Sequence, residues 1–201
     1  LKKDIAQFDR YKYALDDEFR NLNTDFFDLV YTRYLERRGE AKLFYSSLLE
    51  NPFDYSKNEE IDLDYEEQDY PLTLRQRTEK WRKQLKFSTL NIVHSKLADE
   101  EKRVEKDPSY KPKLFDELEA EAREITRENL DNYFSLMEDV REEDWFGTYL
   151  NAFVSQFDPH SVYFAPVDKD RFDQSMSGKY EGIGARLTKR NQTIKIVEVI
   201  S

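Results

Sequence analysis

Cysteine is absent from the 201 residues. That removes disulfides, thiolate nucleophiles and cysteine-based zinc sites together, and it fits either the cytosol or an oxidising envelope compartment. Histidine is almost as scarce: His94 and His160 lie far apart, and neither belongs to a His-Glu-x-x-His helix that could hold zinc. Glycine occurs five times and proline six, so breaks between regular elements are few and easily placed. No apolar run approaches the roughly 20 residues needed to span a bilayer, so the chain is read as not membrane-spanning. No long Lys/Arg run appears and the net charge is -10, which makes a phosphate backbone an unfavourable partner and nucleic acid an unexpected one.

Charge and aromatic rings are abundant. Charged residues reach 37% and aromatic ones 14%; the second figure is far above that of a disordered chain, so the first describes the surface of a folded protein. Apolar residues recur at helical spacing over much of the length. Ile5, Phe8, Leu15 and Phe19 mark a first helix over 2–20, and Phe27, Val30, Tyr34, Tyr45 and Leu48 a second running to Asn51-Pro52, with Asn23 and Thr24 as caps and Gly39 as a candidate kink. Residues 52–71 alternate instead, Ile61, Leu63 and Tyr65 against Asp62, Asp64 and Glu66, and read as an acidic extended arm. Asp62-Leu63-Asp64 imitates the start of a calcium loop, but the sixth position, which requires glycine, is Glu67.

Thr73 and Gln76 stand at capping-box spacing before a long helix carrying Trp81, Leu85, Val93 and Leu97. The charged stretch 100–112, with Asp107-Pro108 and Lys111-Pro112, turns the chain back into another helix through Leu118, Ala122, Leu130 and Phe134. A further helix holds Phe146, Leu150 and Phe153, and a short one opens at Pro166. Gly178, Gly182 and Gly184 then cluster, and Ala185–Lys189 and Thr193–Ile200 alternate as the arms of a hairpin whose phase slips at Val197, the place for a bulge. A domain boundary is expected near residue 177. Both ends, Leu1 inside a helical pattern and Ser201 directly after a strand pattern, read as interior points of a longer chain.

Nucleophile motifs are missing: neither Gly-x-Ser-x-Gly nor Ser-x-x-Lys occurs. Asp158-Pro159-His160-Ser161 brings a carboxylate, an imidazole and a hydroxyl close in sequence, but Asp-Pro corners commonly use such side chains to satisfy backbone groups. No catalytic residue, metal ligand or cofactor is assigned. Gly182-Ile183-Gly184-Ala185 carries more chemistry. Glycine admits positive φ and lets consecutive N–H groups converge on one anion, and a strand edge following it could pair with a peptide whose terminal carboxylate sits in the turn.

Phe157-Asp158-Pro159-His160-Ser161-Val162-Tyr163-Phe164, Met176-Ser177-Gly178 and Glu181-Gly182-Ile183-Gly184-Ala185 together resemble the tail-specific, or C-terminal processing, peptidases of bacterial envelopes. Tyr31-Thr32-Arg33-Tyr34-Leu35-Glu36, Asn51-Pro52-Phe53-Asp54 and Trp81-Arg82-Lys83-Gln84-Leu85-Lys86 extend the likeness to that family's helical N-terminal domain. The resemblance implies a mainly α fold, an irregular multi-helix N-terminal domain with long helical hairpins over 1–177, and the first β-hairpin of a PDZ-like domain over 178–201. It implies a periplasmic serine endopeptidase as the parent, with a Ser/Lys dyad in a separate core, polypeptide substrates with apolar C-termini and an envelope lipoprotein adaptor as a conceivable partner. It makes Gly182, Ile183, Gly184 and Ala185 the carboxylate-binding turn, and Arg186 and Leu187 the start of the substrate-pairing strand. By itself this chain is expected to be inactive. The alternatives are a non-enzymatic peptide-binding or adaptor protein and a helical scaffold.

Overall fold

The computed structural model describes residues 1–178, 183–190 and 193–199. Among them are seven α-helices and one hairpin: α1 Lys2–Phe8, α2 Leu15–Arg20, α3 Asp25–Leu48, α4 Leu74–Lys106, α5 Phe115–Asp139, α6 Glu142–Val154, α7 Pro166–Ser177, then β1 Ala185–Arg190 and β2 Thr193–Val199. The mainly helical fold and the terminal hairpin are those anticipated. The chain divides into two compact units, Leu1–Phe134 and Ser135–Ser201.

In the first unit, Ala41, Tyr45 and Leu49 bury against Leu85 of α4 and Phe134 of α5, with Leu48, Phe53, Trp81 and Leu130 packed around them. Tyr45 stacks on Phe134 at 5.3 Å between ring centroids, and its hydroxyl donates to Asp131 Oδ1 at 2.6 Å. A buried tyrosine thus keeps its polar end satisfied while its ring fills the core. Farther along, α4 and α5 meet through Thr89 and Thr126, both buried, with oxygens 3.2 Å apart. Thr126 donates to the Ala122 carbonyl at 2.9 Å, so Thr89 supplies the proton between the two hydroxyls.

The turn joining these helices is closed by a buried carboxylate. Glu100 accepts from the Tyr110 hydroxyl at 2.8 Å and the Lys113 N–H at 2.9 Å, and pairs with Arg103 at 2.8 Å. The charged stretch expected to be a turn is therefore split: α4 continues through Lys106, and only residues 107–114 reverse the chain.

Charge also ties α1 to α3 and α4. Arg37 grips Asp4 with two 2.8 Å hydrogen bonds and holds Glu40 at 2.6 Å; Arg77 completes the row by pairing with Glu40 and donating to the Arg37 carbonyl at 2.8 Å.

Several local expectations are altered by tertiary contacts. The single helix expected over 2–20 is broken, a 3₁₀ turn at Asp9–Tyr11 intervening between α1 and α2. That turn places Tyr11 5.3 Å from Phe26, beside Phe8, which meets the same ring edge-on at 6.1 Å. At the start of α3, Asn23 accepts from the Asp25 N–H, but Thr24 caps no backbone donor; Glu18 reaches across to accept from Phe26 N–H instead. The alternation in the arm produces no strand: residues 52–72 run over the surface in turns, with Asp54 and Asp62 each closing an Asx-type turn. Gly39 does not interrupt α3.

Two outcomes follow from this packing. A Cβ at Gly39 meets nothing within 4 Å, so Gly39→Ala should raise stability by about 0.5–1 kcal/mol, read from urea unfolding. The first unit should also be acid-sensitive. The Arg37 guanidinium holds the Asp4 carboxyl well below its ordinary value, and Arg37 and Arg77 outweigh the burial that would raise Glu40. Arg82 and Lys86 bring Glu59 to about 2, and Lys113 and Lys96 do the same for Glu121. Carboxyls depressed in the folded state stabilise it fully above their unfolded pKa and lose that contribution as pH falls toward the folded one. Thermal midpoints should therefore be flat above about pH 5 and fall steadily from about pH 4.5 toward pH 2. A midpoint independent of pH across that window would contradict these ion pairs.

Candidate peptide-binding turn and hairpin

In the second unit, Pro166 occupies the first turn of α7, where its missing N–H costs nothing, and Gly178 ends the helix in the left-handed conformation at φ 65°. Gly184 repeats that conformation at φ 64° immediately before β1. An L-residue with a side chain loses roughly 1–2 kcal/mol there, so glycine is the natural occupant of this turn. Gly182 lies outside the described residues.

β1 and β2 pair antiparallel, with Ala185 opposite Val199, Arg186 opposite Glu198 and Leu187 opposite Ile196. Val197 is the extra residue of the bulge, at the point where the sequence alternation slips. Arg186 and Glu198 form a cross-strand ion pair at 2.9 Å. The register puts Ala185, Leu187, Ile194, Ile196 and Val199 on one face and Arg186, Thr188, Lys195 and Glu198 on the other. On the first face Leu187, Ile194, Ile196 and Val199 are exposed, as is Ile183 in the turn. Because the sheet has two strands among the described residues, β1 pairs on one edge and its other edge carries no strand. An edge of this kind presents a row of N–H and C=O groups suited to adding a peptide strand. Of the six residues singled out from sequence, Ile183, Gly184, Ala185, Arg186 and Leu187 thus form one continuous turn-and-strand.

The Asp158-Pro159-His160-Ser161 corner is arranged differently from a catalytic relay. Asp158 accepts from the Ser161 hydroxyl at 2.7 Å and from the backbone N–H of His160, not from its ring, at 3.0 Å. Those two donors hold the Asp158 carboxyl below its usual range. The serine proton therefore points at the aspartate. Asn151 of α6 clamps the far side of the corner, accepting from Tyr163 N–H at 2.7 Å and donating to Tyr163 C=O at 3.1 Å. Phe164 stacks on Phe172 of α7 at 5.3 Å. Nothing in the sequence pattern singles out Asn151, because an amide paired with a distant backbone unit leaves no local signature. Among the described residues no group of three or more potential ligands could hold a metal ion, and no helix is long and apolar enough to cross a membrane.

A tail-specific protease from Haemophilus influenzae is 26% identical over 202 residues, an alignment that covers the whole of this chain and 26% of the relative. The chain thus spans about a quarter of the length of that relative. Residues 1–167 match the family model described as the tail specific protease N-terminal domain, and on that match the chain belongs to the tail-specific protease N-terminal domain family.

Proposed function

We propose that residues 1–177 form the helical N-terminal domain, and 178–201 the opening hairpin of a PDZ-type domain, of a serine-type C-terminal processing endopeptidase. In this reading the parent acts in the periplasm on polypeptides with apolar C-termini. The helical domain shapes the space in which substrate is held and offers a surface to an envelope lipoprotein adaptor. The observation that carries the proposal is the juxtaposition of a left-handed Gly184 with a β1 edge that no other described strand occupies, in the stretch beyond a family match ending at residue 167. A substrate's last residues would pair with β1 from Ala185 through Leu187, and its carboxylate would sit against the N–H groups of the Gly182-Ile183-Gly184 turn, where fixed dipoles replace the water it loses.

Bond cleavage belongs to a Ser/Lys dyad elsewhere in the parent, in which a neutral, desolvated lysine takes the serine proton and backbone N–H groups stabilise the oxyanion. This chain alone is inert.

The test follows cleavage of a polypeptide with an apolar C-terminus by mass spectrometry, using this chain and the full-length parent side by side. The parent should cut and the chain should not; specific cleavage by the chain would refute the assignment. In the parent, Gly184→Val should raise KM for tail-bearing polypeptides at least about tenfold, because a β-branched residue resists positive φ. Amidating the substrate's C-terminus should weaken its binding to the unaltered parent in the same way. Equal cleavage of the free-acid and amidated substrates would remove the carboxylate role.

A further inference from the structure

Residues 54–69 carry eight carboxylates against a single lysine, and residues 75–86 of α4 carry six cations against a single glutamate. The two segments lie together. Glu59 binds Arg82 and, at 2.6 Å, Lys86. Lys83 donates to the Glu60 carbonyl at 3.2 Å, Lys86 to the Lys57 carbonyl at 3.3 Å, and Lys80 lies 5.8 Å from the Tyr65 ring centre.

The attachment is shallow. No residue from 54 to 70 is buried; Tyr55, Glu59, Ile61 and Gln68 are half-buried and the rest exposed. Between strap and helix runs an open groove of ≈ 980 Å³ bordered by Ile61, Tyr65, Gln76, Lys80 and Lys83, and a second of ≈ 380 Å³ extends it toward Phe87 and Leu90. At either end the chain is fixed firmly. Phe53 N–H donates to Glu119 at one side, and the Thr73–Gln76 capping box holds the other. A segment pinned at both ends, held between them by ion pairs and a few side-chain contacts, can lift without unfolding the core.

We propose that this face of α4, marked by Lys80, Arg82, Lys83 and Lys86 with Phe87 and Leu90, is a docking site for an extended acidic polypeptide segment, and that residues 56–70 are its intramolecular place-holder. The strap itself displays the chemistry the face accepts: carboxylate on Arg82 and Lys86, main-chain carbonyl on Lys83 and Lys86, aromatic ring on Lys80. An incoming segment must displace the strap, so its apparent affinity is the intrinsic affinity multiplied by the fraction of molecules with the strap lifted. Because the Glu59 carboxyl is held near 2, the latch stays charged throughout the ordinary pH range, and salt rather than acid releases it. This inference is independent of the hairpin and of the peptidase reading.

The test titrates a fluorescein-labelled peptide copying residues 54–70 into the 201-residue chain and follows anisotropy. Glu59→Gln should bind it at least about tenfold more tightly than the unaltered chain, since it weakens only the competing strap. Lys80→Glu with Lys83→Glu should abolish binding, as should replacing the peptide's acids by amides. The cysteine-free sequence permits a second measurement that needs no ligand. Spin labels at Asp64→Cys and Asn91→Cys should give a narrow distance distribution at low salt that broadens at 0.5 M NaCl, while circular dichroism stays unchanged. Equal affinity of Glu59→Gln and the unaltered chain, or a distribution insensitive to salt, would overturn the proposal. Heparin binding with the same tenfold gain would assign the face to polyanions in general and overturn the polypeptide assignment.

Discussion

Tyr45 stands where three helices converge, and most of the first unit is organised by the need to bury it. Its ring packs on Phe134 and its hydroxyl reaches Asp131, so α3 and α5 are held in one rotational setting, while Leu85 and Trp81 bring α4 against the same cluster. Among the described residues few other large apolar side chains are fully buried; Leu49, Leu118 and Val93 complete that group. A core this small leaves much of the ordering to polar contacts that fix geometry: the threonine pair inside the α4–α5 hairpin, Glu100 at its turn, and the Asp4–Arg37–Glu40–Arg77 row. Each of these removes a polar group from water only in company with its partner, which avoids the penalty for an orphaned charge.

Electrostatics then sets how the surface segments are held. The same helix that contributes Leu85 to the core carries a dense row of cations on its outer side, and an acidic strap lies over them. In the second unit the logic is different. There, the Asn151 side chain bonds the Tyr163 backbone and the Asp158 carboxylate accepts from the Ser161 hydroxyl, and together they shape the corner before α7. Two left-handed glycines, Gly178 and Gly184, lie in the approach to the hairpin. An amphipathic hairpin with its apolar face exposed suits a role as part of a larger sheet or groove, which is the setting proposed for it.

Features governed by neighbours in sequence were the legible ones. The capping box at Thr73 and Gln76, proline at the start of α7, glycine at its end and the bulge at Val197 each arise from backbone geometry within a few residues. Five of the six residues proposed for peptide binding fall in one described turn and strand, and Gly182 lies outside what the structure describes. The break between α1 and α2 was not legible, since it serves Tyr11 and Phe26, which belong to different elements. Nor was the loss of alternation in the arm, because period-two patterning needs a partner strand and the arm meets a helix instead. Gly39 shows the converse: a weak helix former in the middle of α3 is carried by the turns on either side of it.

By itself, then, the sequence determined that most of the chain is helical, where α4 and α7 begin and that a glycine-led hairpin follows, because hydrophobic period, caps and turn residues act locally. Tertiary structure alone decided which helix faces meet at Tyr45, that Glu100 closes the α4–α5 turn, that Asn151 clamps Tyr163, and that the acidic segment settles on the cations of α4. Those outcomes depend on residues up to 86 positions apart. Their pairing is selected by shape and charge in three dimensions, which a one-dimensional pattern does not encode.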